Sequence, residues 1–135
     1  MSAPAVAVSH KHKTFAVAWK DMRKGEPNIY WSISDKPNFK SEERLHGVTK
    51  GEQDHPSLTI DDRGAVWIAW EDTRSGKREV WVRSNQPAHT ERRISSSAAA
   101  PASYPVLASG SGMVAVVFES GKGPEKQIRF KTINE

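Results

Sequence analysis

Residues 56–76 read P-S-L-T-I-D-D-R-G-A-V-W-I-A-W-E-D-T-R-S-G, and the fold class follows from this stretch. Residues 57–60 alternate as a half-buried strand does, and residues 61–64 have the Asp and Gly content of a turn. Residues 65–70 are almost continuously apolar, which predicts a strand covered on both faces. A second turn precedes another alternating run at 79–83. This segment therefore predicts a meander of short antiparallel strands.

The same pattern occurs three times along the chain. Its aromatic anchors are Trp19, Trp70 and Phe118, which lie 51 and 48 residues apart. A β-branched residue stands ten positions after each anchor, and a proline precedes each anchor at a nearly constant distance. The residues concerned are Ile29, Val80, Ile128, Pro4, Pro56 and Pro105. Self-similarity at a fixed period is the mark of a repeat architecture, so we interpret the chain as three copies of one unit.

Each unit has the strand content of a β-propeller blade. Short fourth strands are expected at 43–45 and 91–94, which makes four strands in about 48 residues. The sequence predicts an all-β domain over residues 1–135. Its blades span about 4–48, 54–97 and 103–135, and the last blade lacks its outer strand.

The unit resembles a blade of the sialidase-like, BNR/Asp-box type of propeller. The resemblance rests on the element W-x-D-x-R-x-G, which occurs at 19–25 and 70–76. The Asp-box is expected at 32–39 and 84–87, and neither segment keeps its glycine. Membership of that family would imply carbohydrate binding and would favour a secreted or periplasmic location. No cofactor is predicted.

Three blades cannot close a ring, because propellers carry four to eight blades and an open edge invites association. Two outcomes follow. Two chains pair into a six-bladed ring, or the sequence is a piece of a longer propeller. Met1 and the apolar run at 5–8 favour the first outcome, so a homodimer of half-propellers is expected.

The turns after the second strands and the entries to the blades share one face of a propeller. The residues that this arrangement would gather as a ligand-binding set are Asp21, Arg23, His55, Glu71, Asp72, Arg74 and Tyr104. Arginine presents a planar fork to carboxylates and sugar hydroxyls, which predicts a polar pocket for an acidic small molecule. The family resemblance implies that the ligand is a carbohydrate. The alternative is that the Asp–Arg pairs only stabilise turns, and are repeated because the blade is repeated.

The resemblance also leaves an enzyme open, an exo-glycosidase of the sialidase type that hydrolyses a terminal acidic sugar. Such an enzyme would need a tyrosine nucleophile beside a glutamate, a role that Tyr104 and Glu119 could fill. Two of three required arginines could be Arg23 and Arg74, but no third equivalent exists. A non-catalytic binding module is therefore the favoured function.

The composition of the chain argues against several other classes of protein function. The 135 residues contain no cysteine, which excludes disulfides and thiolate chemistry. The net charge of +4 is dispersed along the chain, without the basic stripe and interleaved aromatics of a nucleic-acid surface. No apolar run is long enough for a membrane helix. His10 and His12 have a spacing that suits two metal ligands, but no third ligand is near in sequence, so no metal site is predicted.

Overall fold

The computed structural model describes residues 3–45, 50–95 and 100–133, which form three antiparallel sheets. Within each sheet the strands follow one another in chain order. The first sheet contains β1 (Ala5–Ser9), β2 (Thr14–Asp21), β3 (Asn28–Ser34) and β4 (Glu43–Arg44). The second contains β5 (Gln53–Ile60), β6 (Val66–Asp72), β7 (Glu79–Ser84) and β8 (Arg92–Arg93). The third contains β9 (Ala102–Gly110), β10 (Met113–Ser120) and β11 (Gln127–Ile133), with a 3₁₀ turn at Gly123–Glu125.

These sheets confirm the all-β class and the strand count predicted for each repeat. The third sheet has three strands in the described part of the chain, as expected for a last unit without its outer strand. The short fourth strands occur where the weak patterns predicted them, at Glu43–Arg44 and Arg92–Arg93. No α-helix is present within residues 3–45, 50–95 and 100–133.

The pairing register repeats with the sequence. In every sheet, the residue directly before the aromatic anchor pairs with the residue directly after the proline that precedes that anchor (Pro4, Pro56 or Pro105). The pairs are Ala18 with Ala5, Ala69 with Ser57, and Val117 with Val106. Because a shift of one residue would exchange the two faces of a strand, the equal register gives the three sheets equivalent faces.

The second sheet lies between the other two, and its faces form two hydrophobic cores. Trp67 belongs to the core shared with the third sheet, whereas Trp70 belongs to the core shared with the first. All seven residues of β6 are buried, which explains its continuous apolar sequence. Trp70 and Phe118 are therefore core residues, while Trp19 is half-buried on the far face of the first sheet.

The first strands β1, β5 and β9 contact one another in order, so the three sheets are closest along this line. The loop between β5 and β6 contacts the β1–β2 loop of the first sheet and the β9–β10 loop of the third sheet. The backbone carbonyl of Asp62 lies 2.8 Å from Nε2 of His12, and its carboxylate accepts a hydrogen bond of 2.7 Å from the backbone amide of Gly112. In the described ranges, no helix has the length and hydropathy needed to cross a lipid bilayer.

Candidate functional site

The polar residues of the candidate site lie at one edge of the sheets, where β6 and β10 end and β5 and β9 begin. The antiparallel register places Asp54 opposite Glu71 and Ser103 opposite Glu119. Glu71 and Glu119 each follow an aromatic anchor, and Lys20 holds the same position in the first sheet. One charged side chain per repeat is therefore presented at this edge.

Glu71 is the centre of the largest cluster, and its side chain is 5% exposed. Its Oε2 accepts a hydrogen bond of 2.8 Å from the backbone amide of Tyr104 in the neighbouring sheet. The same oxygen lies 3.1 Å from Nδ1 of His55, and Oε1 lies 3.4 Å from Nε of Arg78. The His55 contact lacks hydrogen-bond geometry, and it is an ion pair only when the imidazole is protonated.

His55 and Tyr104 both have left-handed backbone conformations, with φ angles of 51° and 56°. Each precedes a proline, which favours extended backbone in the residue before it, and each lies where the register of its sheet shifts. Such conformations are costly for residues other than glycine and persist where neighbours fix them. The His55 and Tyr104 rings pack edge to face, with their centroids 4.8 Å apart. The backbone amide of His55 donates a hydrogen bond of 2.8 Å to the Asp54 carboxylate.

A cleft of about 550 Å³ opens beside Tyr104, between the second and third sheets. The side chain of Tyr104 forms part of its wall, and the residue is 49% exposed. The remaining lining residues are Gly76, Lys77, Arg78, Pro101, Ser103, Gly121, Lys122, Gly123 and Lys126. Four of the lining residues are cationic and none is acidic, although Arg78 and Lys126 are ion-paired with Glu71 and Glu119 behind the wall. The cleft thus places basic residues beside an aromatic one.

The W-x-D-x-R elements form a second, separate structure that occurs in the first two sheets. In the first sheet the Asp21 carboxylate accepts hydrogen bonds from the indole of Trp19 and from the guanidinium of Arg23, which also binds Glu42 at 2.5 Å. The Arg23 guanidinium stacks 4.2 Å from the ring centre of Tyr30. All these partners belong to one sheet.

The second sheet repeats the arrangement with more burial. The Asp72 carboxylate binds the indole of Trp70 at 2.9 Å and the guanidinium of Arg74 at 2.7 Å. Arg74 also binds Glu91 at 2.6 Å and lies 4.0 Å from the ring centre of Trp81. The geometry thus supports the turn-stabilising alternative for both Asp–Arg pairs.

These contacts shift the ionisation of the groups involved. Hydrogen bonds from Arg23 hold the pKa of Asp21 well below its usual range, and the pKa of Arg23 is raised by the same bonds and by Glu42. For Arg74, burial favours the neutral form, but the hydrogen bonds to Asp72 and Glu91 outweigh it and raise the pKa. Both arginines are therefore fixed cations that are already paired.

The structure divides the predicted ligand-binding set. It brings His55, Glu71 and Tyr104 into contact, while the two Asp–Arg pairs form their own clusters. Glu119 lies 3.7 Å from Nζ of Lys126, and the carboxylate bound to the Tyr104 amide is that of Glu71. Sequence analysis did not identify Arg78, Lys122 and Lys126 as site residues. They lie in the turns after β6 and β10, which have equal length but carry different residues in each repeat, so the repeat gives no signal for them.

The imidazole of His12 is packed against the backbone at Gly64 and contacts the Asp62 carbonyl. In the described part of the chain, no group of three or more His, Cys, Asp or Glu side chains could hold a metal ion.

The fold defined by these sheets is similar to that of two solved carbohydrate-active enzymes. One is an endo-1,4-β-xylanase from Bacteroides thetaiotaomicron, with 16% identity and a TM-score of 0.58 over 96% of this chain and 48% of that one. The other is a GH43 endo-arabinanase from Bacillus licheniformis, with 13% identity and a TM-score of 0.54 over 97% of this chain and 50% of that one. The chain thus spans about half the length of these structures. No family model and no curated protein matches the sequence.

These comparisons correct the family resemblance drawn from the sequence. The similar structures are a xylanase and an arabinanase, so the assignment to the sialidase-like, Asp-box family is wrong. The physical reason is the nature of the W-x-D-x-R element on which the resemblance rested. W-x-D-x-R encodes a local indole–carboxylate–guanidinium cluster that stabilises the turn after a second strand, and such a turn does not identify a family.

Proposed function

We propose that this protein is a non-catalytic module that binds an acidic saccharide in the cleft between the second and third sheets. The observation that carries this proposal is Tyr104, a half-exposed aromatic residue that lines the cleft and whose backbone amide is bound by Glu71. Aromatic rings offer an apolar surface with a polar tip, and cations bind carboxylates by charge-assisted hydrogen bonds. A sugar that carries a carboxylate uses both properties.

The scaffold that we propose for this site is a β-propeller, with the three sheets as consecutive blades of one domain over residues 1–135. The proposal keeps the blade limits of about 4–48, 54–97 and 103–135, which include residues outside the described ranges. Support comes from the equal registers, the stacking of the sheets in chain order and the contacts between successive first strands. The three sheets would then be half of a six-bladed ring.

The binding test uses the 135-residue chain and calorimetric titration with oligogalacturonate, with neutral arabinan and xylan oligomers as comparisons. We expect binding of oligogalacturonate only, weakened at least tenfold in Tyr104→Ala and in Lys122→Ala. The control variant is Phe39→Ala, which removes an exposed aromatic side chain that does not line the cleft. Equal affinity for all three ligands, or no effect of Tyr104→Ala, would contradict the proposal.

The second candidate function is hydrolysis of a glycosidic bond at the same edge, and the two similar structures, both named as polysaccharide-cleaving enzymes, support it. Tyr104 and Glu119 are the residues that we would assign to it. The contacts of Glu71 argue against a role for this carboxylate as acid or base, because both of its oxygens already face cations or an amide donor. Release of reducing ends from arabinan or xylan, abolished by Glu119→Gln, would favour the enzyme over the module.

A further inference from the structure

We propose that a second copy of this chain covers both outer sheet faces, so that the third sheet of each copy packs against the first sheet of the other. This inference rests on the blade interpretation above. We name the outer face of the third sheet the trailing face and that of the first sheet the leading face. The trailing face contains Val106, Val117, Ile128 and Phe130, and the leading face contains Val6, Val8, Phe15, Val17 and Trp19.

The exposed positions of the trailing face are equivalent to positions that are buried in the first and second sheets. Ile29, Val80 and Ile128 are equivalent, since each pairs with the residue after its aromatic anchor. Ile29 and Val80 are fully buried because another sheet follows theirs, whereas Ile128 is 71% exposed. The sequence therefore keeps a β-branched residue at the position that no sheet covers within the described residues.

The next position on the same face repeats this contrast. Trp31, Val82 and Phe130 each pair with the residue before the anchor in their own sheet. Trp31 and Val82 are buried at 1% and 0% exposure, and Phe130 is 69% exposed. Contiguous exposed apolar side chains of this size mark an interaction surface.

The leading face shows the converse pattern. Leu58 and Leu107 pack against the preceding sheet and are 7% and 6% exposed. The equivalent Val6 is 66% exposed, since no sheet of the described chain packs on it. Trp19 likewise is half-buried where Trp70 and Phe118 are core. The chain thus exposes one leading face and one trailing face, which are the two halves of the contact that it already makes twice internally.

Equivalence of the polar contacts supports the same pairing. At the junction between the second and third sheets, the Glu71 carboxylate accepts a hydrogen bond from the backbone amide of Tyr104, whereas at the first junction the equivalent Lys20 pairs with Asp54. Glu119 is the equivalent of Glu71 in the third sheet, and Ala3 is the equivalent of Tyr104 in the first, one residue before the proline. In the proposed pair, Glu119 accepts a hydrogen bond from the backbone amide of Ala3 of the partner subunit.

A head-to-tail contact closes into a ring or continues as an open chain, depending on the rotation between copies. Propellers hold about four to eight blades, and six is the one multiple of three in that range. We therefore assign the occupant of both faces as one further copy, in a closed pair of six sheets with two identical junctions.

The first test is the solution mass of the 135-residue chain at micromolar concentration, by light scattering after size exclusion. We expect twice 15.0 kDa for the parent protein. Phe130→Glu and Val6→Lys should each reduce the mass to that of a monomer and leave the far-UV circular dichroism unchanged, because both side chains are exposed within one chain. Met22→Lys is the matched control, as Met22 is also exposed but lies in a turn outside both faces.

Mixing the two variants tests which faces meet. A mixed pair has one junction of two unaltered faces and one in which Glu meets Lys, so an equimolar mixture should regain the dimer mass. Dissociation by only one of the variants would mean pairing of like faces and would overturn the proposal. A monomeric parent protein, or a mass that keeps growing with concentration, would also overturn it.

The outcome is separable from that of the saccharide proposal, because the cleft lies within one chain. Monomeric Phe130→Glu should still bind oligogalacturonate if the module function holds. A parent dimer that fails to bind oligogalacturonate would remove the function and leave the interface standing.

Discussion

Three carboxylates each accept several hydrogen bonds and thereby hold turns or neighbouring sheets in place. Asp21, Asp72 and Glu71 each collect donors from several directions, and in every case one donor is a backbone amide. Asp21 and Asp72 serve the turns of their own sheets, whereas Glu71 joins two sheets and fixes a strained tyrosine. The sequence presents all three as acidic residues near an anchor, yet only the position directly after the anchor reaches the next sheet.

Asp21→Asn should destabilise the protein in a pH-dependent way. The folded-state pKa of Asp21 lies well below that of an unfolded aspartate, which is about 3.9. The ionised group therefore contributes stability above about pH 4, and this contribution is lost as the pH falls through and below that value. We expect the melting temperature of Asp21→Asn to lie below that of the parent protein at pH 7, with a smaller difference at pH 3.

The matched control for this measurement is Asp35→Asn, which changes an exposed aspartate in the bend that follows β3. Its effect at pH 7 should stay within about 0.5 kcal/mol, as is usual for surface changes. A constant difference between Asp21→Asn and the parent protein from pH 7 to pH 3 would contradict the assigned ion pair.

Strands and hairpins are the scale at which sequence analysis succeeded most. The alternating run at 79–83 matches β7, and the apolar run at 65–70 matches β6 within two residues at its end. Periodicity and turn residues are local signals, and three copies of them reinforce one another. The clustering of His55 with Tyr104 was not predictable in detail, because it depends on register shifts next to proline that no local pattern encodes.

The hairpin of β5 and β6 depends on Asp61, a buried residue in its turn. The carboxylate accepts hydrogen bonds from the backbone amides of Arg63 and Ala65 and from the indole of Trp67, all between 2.8 and 2.9 Å. Asp61→Ala would leave the buried donors of Ala65 and Trp67 without their acceptor, so we expect a loss of about 2–4 kcal/mol in the free energy of unfolding. Urea titration provides the measurement.

The neighbouring Asp62→Ala change is the control for this hairpin. Asp62 is exposed and binds the backbone amide of Gly112, which water can reach when the carboxylate is removed. We expect a loss of about 1 kcal/mol or less. Equal losses for the two variants would show that the burial of the Asp61 donors has no energetic importance.

For the whole molecule, the second sheet holds the other two in place. Trp70 is completely buried in the core shared by the first and second sheets. Trp70→Ala removes a large side chain that cannot be replaced by neighbours and should cost about 3–5 kcal/mol, still within one unfolding transition. The exposed Met22→Ala should change stability by less than about 0.5 kcal/mol. Two separate transitions in the parent protein would show that the sheets fold independently.

The stacking of the sheets was predictable from the repeat, but the family was not. Equal spacing of the anchors implies equal units with equal faces, and the observed registers follow from it. Family membership depends on the particular side chains of a site, and the W-x-D-x-R element that carried the resemblance turned out to be a stabilising turn cluster. The local structure could be predicted from these residues, whereas the family could not.

The complete burial of β6 has a consequence for the order in which backbone amides exchange their protons with solvent. Every residue of that strand is covered by a sheet on either side, and its amides pair with β5 and β7. Fraying at either end of the molecule does not reach these groups, so their exchange requires the chain to open globally. Deuterium should therefore enter β6 last, at a rate that reports the free energy of unfolding, after it has entered β1 and β11 by local opening.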